Sequence, residues 1–138
     1  MSKSSVVLAC VTAQMSCERI INAAKKMASR MDAELEVITI QPKKQTAENR
    51  ARDMKCLYNL SRKTGSEIII YYSDNPVKSI VKHAMDKKVF HIFTGKPDSN
   101  NEFVGKLSMV LNHIPISMVT EDIVFTIPAV SGQPAIIV

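Results

Sequence analysis

Continuous apolar stretches alternate along this chain with segments in which apolar residues recur every three or four positions. Apolar, β-branched runs indicate strands that are buried on both faces, whereas the three-to-four spacing indicates amphipathic helices. The pattern therefore predicts five strands in strict alternation with four helices. The strands are expected at 5–12, 34–40, 67–72, 89–95 and 115–119, and the helices after Ser16, after Thr46, after Asn75 and from about Asn101.

Residues with known preferences for helix ends stand at the predicted boundaries. Ser16, Thr46 and Asn75 are suitable N-caps, and Pro76 suits a first helical turn, whereas Gly65 is a suitable terminator. Each helix should then bury one stripe of side chains. The predicted stripes are Ile20, Ala24, Met27, Ala28 and Met31; Ala47, Ala51, Met54, Tyr58 and Ser61; Val77, Ile80, Val81 and Ala84; and Phe103, Val104, Leu107, Val110 and Leu111.

Strict alternation of strands and helices is typical of an α/β fold. Because crossovers between parallel strands are right-handed, the five strands are expected to form one Rossmann-like parallel sheet with helices on both faces. Residues 1–120 then form a single α/β domain, and residues 121–138 form a C-terminal extension. Within this extension, the apolar residues from 123 to 127 suit an edge strand or a dimer contact.

Composition limits the classes of function. The chain has 138 residues, of which 46% are apolar and 22% charged, as in a globular domain. The net charge of +5 is dispersed and aromatic residues make up only 5%, so we predict no nucleic-acid partner. Three cysteines without a CxxC pair indicate a reducing compartment. The apolar segment before Cys10 is too short for a signal sequence, and no run approaches about 20 apolar residues, so we expect a cytoplasmic protein without membrane insertion.

The segment "FTGKPDSNNEFVGKL" (93–107) is the main candidate for a ligand site. In open α/β sheets, ligands bind beyond the carboxyl ends of the strands. Gly95 lets the chain turn there, Lys96 adds positive charge, and the amides of 99–102 open a helix towards an anion. Gly105 permits close approach, and the turn at 12–16 faces this loop if the first and fourth strands are neighbours. The alternative is an ordinary strand-to-helix turn; Pro97 excludes a Walker loop.

The order of elements and two longer stretches resemble the universal stress protein family. The stretches are "VVLACVTAQMSCERIINAAKKMA" and "FTGKPDSNNEFVGKLSMVLNHIPISMV", and the resemblance covers residues 4 to 120. The turn after the first strand, the "SCER" helix start and "GKP" are most similar to the universal-stress-like domain of potassium-sensing histidine kinases. The resemblance implies strand order 3-2-1-4-5, a cytoplasmic regulatory role, and a homodimer that forms through the fifth strand and the extension.

ATP-binding members of this family carry a Gly-x2-Gly-x9-Gly-Ser/Thr motif after the fourth strand. Gly95 and Gly105 match its last two glycines, but Ile92 then stands at the first glycine and Lys106 at the Ser/Thr position. These members also carry an aspartate at the end of the first strand, which contacts the nucleotide. Thr12 takes its place here.

A second alignment of the motif takes Gly95 as the first glycine. It places Asp98 and Ser108 at the other two, and a carboxylate there would repel phosphate. Neither alignment is complete, so ATP or another adenine nucleotide, a different ligand such as a smaller anion, and no ligand remain alternatives. The residues predicted to bind a ligand are Thr12, Ala13, Gly95, Lys96, Ser99, Asn100, Gly105, Lys106 and Ser108.

Other chemistry is sparse in the sequence. Cys17 is expected in a first helical turn, where the helix dipole lowers thiol pKa values, so it is a candidate redox thiol; the alternative is an ordinary cysteine. The three histidines do not converge, so no metal site is predicted, and no nucleophile–base–orienter set appears. We therefore predict a non-enzymatic regulatory or signalling protein. Two alternatives remain: a protein-interaction module with a vestigial ligand site and a signalling-protein partner, and a small hydrolase or transferase.

Overall fold

The computed structural model describes residues 5–96 and 102–130. Its elements alternate as the sequence predicts, with a single 3-10 turn, Met15–Cys17, before the first helix. The strands are β1 (Ser5–Cys10), β2 (Glu34–Gln41), β3 (Ile68–Tyr72), β4 (Lys88–Gly95), β5 (Ile116–Val119) and β6 (Val124–Ile127). The helices are α1 (Glu18–Arg30), α2 (Ala47–Thr64), α3 (Pro76–Asp86) and α4 (Phe103–Val110).

The sheet has the order β3-β2-β1-β4-β5-β6. The first five strands in this order are parallel, as predicted. The sixth is antiparallel to β5, with Val119 opposite Val124 and Ile116 opposite Ile127. A sheet of five strands was therefore wrong, because part of the extension completes the sheet as its edge. Since β5 pairs on both sides within one chain, pairing with another chain at this edge of the sheet would have to use β6.

The sheet separates two apolar cores. Alternate residues of β1 point to opposite faces: Val7 and Ala9 pack against α1 and α2, whereas Val6 and Leu8 pack against α3 and α4. This alternation explains why a continuously apolar strand is required at the centre of the sheet. All four side chains are at most 2% exposed.

Three of the four predicted helix ends are confirmed. Thr46 Oγ1 accepts a hydrogen bond from Asn49 N (3.0 Å), and Asn75 Oδ1 accepts one from the third residue of α3 (3.1 Å). Gly65 ends α2 with φ 67°, in the left-handed region that glycine adopts without steric cost. The predicted Ser16 cap was wrong, because the 3-10 turn carries helical geometry through Cys17 and α1 begins only at Glu18.

The buried stripes of α1 and α3 match the prediction except for Met31, which is 60% exposed. The stripe of α2 was wrong: its buried residues are Leu57, Leu60 and Thr64. Because β3 is an edge strand, the sheet covers only a narrow strip of the long α2. The prediction that Val110 of α4 is buried was also wrong, since the helix ends there and the side chain is exposed. Among residues 5–96 and 102–130, no helix combines the length and apolarity that crossing a membrane requires.

Candidate functional site

A crevice of about 1520 Å³ opens beyond the carboxyl ends of β1 and β4. The strand order changes direction between these neighbours, since β1 is followed in sequence by β2 on one side while β4 lies on the other. Loops leaving two such strands diverge to opposite faces and leave a gap, which is where open α/β sheets bind ligands. The gap is bordered by the turn after β1, the start of α3, the end of β4 and one face of α4.

The crevice has an apolar floor. This floor includes Ile38 and Ile40 of β2, Ile80 of α3 and Val119 of β5. Cys10, at the end of β1, lies among them. Burial raises the pKa of the Cys10 thiol to about 12, so this sulfur stays protonated and acts as apolar surface. A flat, weakly polar group would find a matching surface here.

The rim of the crevice is mostly cationic. Basic side chains outnumber acidic ones by four to two among the lining residues, which favours an anionic ligand. Two of the four rim cations already have partners: Arg19 lies 3.8 Å from Glu121, and Lys106 lies 3.8 Å from Glu102. Both pairs are exposed and therefore weak, so a ligand can displace them at small cost. The six rim residues are Arg19, Lys78, Lys96, Lys106, Asp74 and Glu102.

The turn after β1 is closed by a sulfur. Thr12 N donates to Cys17 Sγ (3.4 Å), and the Thr12 hydroxyl lies 3.5 Å from the same atom. Backbone bonds from Gln14 N to Thr12 O (2.8 Å) and from Cys17 N to Gln14 O (3.0 Å) tighten the turn. Cys17 is only 5% exposed, so reagents have limited access to its sulfur. Its redox reactivity stays a prediction.

The structure brings only part of the predicted ligand set together. Thr12, Gly95, Lys96 and Lys106 line the crevice, whereas Ala13, Gly105 and Ser108 do not. The face of α4 towards the crevice carries residues 102, 103, 106, 109 and 110, and positions 105 and 108 lie outside that helical spacing. The hydroxyl of Ser108 instead donates to the carbonyl of Gly105 (3.1 Å). Ser99 and Asn100, also predicted, lie outside the described residues.

Sequence reasoning missed the contribution of α3. The connection from β3 to β4 must cross β2 and β1, and this brings the first turns of α3 to the crevice, with Asp74, Lys78 and Val81 among the lining residues. Asp74 Oδ1 also accepts a hydrogen bond from Lys43 N (3.2 Å), which holds the carboxylate in place. The predicted strand order, followed to its consequence for this crossover, was the signal that could have identified these residues.

The histidines lie away from the crevice. His91 is buried in the sheet, where its Nε2 lies 2.7 Å from Ser117 Oγ. His83 joins Tyr71 and Glu36 in one hydrogen-bonded chain, which the sequence pattern did not indicate. Within the part of the chain that the structure describes, no three His, Cys, Asp or Glu side chains are grouped to hold a metal ion.

Comparisons with solved structures identify the fold. A universal stress protein from Archaeoglobus fulgidus matches with a TM-score of 0.63 and 18% identity, over 81% of this chain and 90% of that one. The universal stress protein from Archaeoglobus fulgidus in complex with dAMP matches with a TM-score of 0.58 and 17% identity, over 84% of this chain and 97% of that one. A universal stress protein in complex with cAMP matches with a TM-score of 0.56 and 16% identity, over 86% of this chain and 98% of that one. No protein-family profile and no curated protein matches the chain.

The chain therefore has the universal stress protein fold. The resemblance predicted from the two sequence stretches is confirmed at this level, together with the mostly parallel sheet. The relation to the domain of potassium-sensing kinases stays a prediction.

Proposed function

We propose that this protein is a non-enzymatic regulatory protein that binds an adenine nucleoside monophosphate in the crevice beyond β1 and β4. The observation that carries the proposal is the combination of an apolar floor and a cationic rim at the strand-order switch point. Two proteins with the same fold are described in complex with dAMP and cAMP, which supports an adenine nucleotide as the ligand class.

The two parts of the crevice suit the two parts of such a ligand. The purine ring is flat and weakly polar, and the isoleucines of the floor provide apolar surface for it. The phosphate carries negative charge, and Lys96, Lys106 and Arg19 surround the opening on the side of β4, α4 and α1. The Asp74 carboxylate and the exposed Thr12 hydroxyl supply acceptors for ribose hydroxyls. Each group of the ligand thus has a complementary group on the protein.

A monophosphate fits these residues better than a triphosphate. A triphosphate needs a long series of backbone amides that glycines allow to approach closely. In the first alignment of the ATP motif, the first glycine is replaced by Ile92, which is fully buried in the core, and the last glycine, Gly105, does not line the crevice. Lysine ammonium groups instead provide the charge, and two or three of them match one phosphate.

Thermal unfolding with a panel of ligands tests the proposal. AMP, dAMP, cAMP, ADP, ATP, adenosine and inorganic phosphate are each added to the full chain. A ligand at 100 times its Kd adds about 2.7 kcal/mol to the unfolding free energy, which is about 8 to 10 °C in Tm for a chain of this size. We expect the monophosphates to give the largest shifts. A flat response to every nucleotide would refute the nucleotide role.

A pair of lysine variants locates the binding. Lys96→Ala removes a cation that lines the crevice, whereas Lys26→Ala removes an exposed cation of α1 that does not. A hydrogen bond to a charged group contributes about 1.5–3 kcal/mol, so Lys96→Ala should weaken AMP binding by tenfold or more in calorimetry. The Lys26→Ala control should bind as the unaltered protein does. Equal affinities of both variants would place the phosphate elsewhere.

An interaction module is the second candidate function, and the exposed edge of the sheet favours it. Val124 of β6 and the preceding Ile123 are each 51% exposed and Phe125 is 45% exposed, which is unusual for apolar residues at the edge of a sheet. We propose that β6 pairs with a second copy or with a signalling partner. Sedimentation of the full chain and of Phe125→Lys tests the homodimer: we expect a dimer that the charge converts to monomer. A monomer in both cases contradicts self-association.

A further inference from the structure

Three polar side chains from three elements form one hydrogen-bonded chain on the α3 face of the sheet. His83 Nε2 lies 2.6 Å from Oε1 of Glu36 on β2, and His83 Nδ1 lies 2.8 Å from the hydroxyl of Tyr71 on β3. The imidazole side chain is only 3% exposed, whereas Tyr71 is 37% exposed. None of the three residues lines the crevice, so this arrangement is separate from the proposed nucleotide site.

The partners fix the positions of the protons. A carboxylate only accepts hydrogen bonds, so Nε2 of His83 must carry the proton donated to Glu36. In the neutral imidazole, Nδ1 then has a free lone pair, and it accepts the hydroxyl proton of Tyr71. The Lys87 ammonium lies 4.0 Å from the other oxygen of Glu36. Glu36 from β2, Tyr71 from β3 and Lys87 at the end of α3 are thus the charged and titratable groups that face this histidine.

This order of groups is that of an activated nucleophile: a hydroxyl, a base that accepts its proton, and a carboxylate that orients the base. We propose that Tyr71 is a nucleophilic modification site that takes an acyl group from an activated ester. The hydroxyl proton moves to His83 Nδ1 while the oxygen lone pair bonds to the carbonyl carbon. The adduct then breaks its bond to the ester oxygen, which leaves with the bonding pair and the proton held by His83. Glu36 acts as a positioning residue.

The other two tyrosines provide an internal control. Tyr58 is 60% exposed and Tyr72 is 45% exposed, so both are more accessible than Tyr71. Tyr58 Oη accepts a hydrogen bond from Arg62 Nη1 (3.1 Å), and the Tyr72 ring lies 4.9 Å from the Arg50 guanidinium. A positive guanidinium at either ring is no base. Accessibility alone therefore predicts that Tyr71 reacts last, whereas base activation predicts that it reacts first.

The test treats the full chain with p-nitrophenyl acetate and follows acetylation of each tyrosine by peptide mass spectrometry at short times. General-base catalysis contributes about 10²–10⁴-fold, so we expect Tyr71 to be acetylated at least about tenfold faster than Tyr72. A burst of one p-nitrophenolate per chain should accompany it, and Tyr71→Phe should abolish this burst while Tyr72→Phe leaves it intact. Acetylation in the order of exposure, with Tyr71 last, overturns the proposal.

A second variant separates activation from a purely structural network. In Glu36→Gln, the side-chain amide can donate to Nε2, which moves the imidazole proton to Nδ1 and removes the base from Tyr71. We expect Tyr71 acetylation to fall to the rate of Tyr72 while circular dichroism shows an intact fold. An intact fold with an unchanged rate at Tyr71 contradicts the proposal. If the variant fails to fold, the ranking of the three tyrosines in the unaltered protein decides alone.

Discussion

The same substitution at two exposed glycines should change stability in opposite directions. Gly105 lies inside α4, and a Cβ built on it meets no other atom within 4 Å. Gly65 ends α2 with φ 67°, where a Cβ meets only the Lys25 ammonium at 3.8 Å. The two sites therefore differ very little in the steric contacts that an added methyl group would make. Backbone conformation decides, because alanine is favoured in a helix and disfavoured in the left-handed region.

The magnitudes follow from these conformations. Gly105→Ala should raise the unfolding free energy by about 0.5–1 kcal/mol, and Gly65→Ala should lower it by about 1–2 kcal/mol. For a chain of this length, 1 kcal/mol corresponds to about 3 to 4 °C in Tm. Urea unfolding and thermal scans of the two variants should thus separate their midpoints clearly, on either side of the unaltered protein.

Gly105→Ala also tests the geometry of the crevice. Because Gly105 does not line it, the variant should bind AMP with unchanged affinity in calorimetry while being more stable. Loss of binding in a well-folded Gly105→Ala protein would refute this placement and restore the role that the first alignment of the ATP motif gives to this glycine. Destabilisation by the same change would show that α4 is not a regular helix at this position.

Three further predictions concern single side chains. Burial lowers the pKa of His91, so below the unfolded pKa of about 6.5 the unfolded chain binds a proton that the folded protein does not bind. The free energy of unfolding should therefore decrease as the pH falls towards the folded pKa, by up to about 1.4 kcal/mol per pH unit. His91→Gln should flatten this slope in urea titrations. Thr46→Ala removes the hydroxyl that caps α2 and should cost about 1 kcal/mol in the same assay, whereas an unchanged midpoint would contradict the cap. Burial raises the pKa of Cys10 to about 12 and also that of the less buried Cys56, so iodoacetamide should alkylate Cys56 first and reach Cys10 only on unfolding.

The type and position of most strands and helices could be predicted because the signals that set them act over a few neighbouring residues. An apolar strand such as β1 must be covered on both faces, which already requires a layered α/β architecture. The caps at Thr46 and Asn75 and the terminator at Gly65 act within one turn of chain, so the residue type alone identifies them. The predicted cap at Ser16 was wrong because a 3-10 turn extends helical geometry over Met15–Cys17, and the type of residue at position 16 does not indicate such a turn.

The errors arise where burial depends on partners far along the chain. Tyr58 of α2 stands at a helical spacing typical of a core, yet it is 60% exposed because the sheet ends at β3. The pairing of His83 with Glu36 joins positions 47 residues apart, and no periodicity brings them together. The cationic rim has the same origin, since Arg19 of α1 and Lys78 of α3 line one crevice only because of the paths that their two helices take across the sheet.

In the first alignment, the ATP motif is incomplete at its first glycine, where this chain has Ile92, and at its Ser/Thr position, where it has Lys106. Ile92 is fully buried and packs in the core between the sheet and α3 and α4, where truncating an isoleucine even to alanine costs about 2–5 kcal/mol. Glycine at this position would therefore open a cavity beneath the crevice, so the motif could be completed here only with a loss of core packing. At the other end of the motif, Lys106 lines the crevice in place of a hydroxyl. A site with few glycine-exposed amides and an ammonium offers a few charges instead of many short hydrogen bonds, and this is why we propose a ligand with one phosphate and not three.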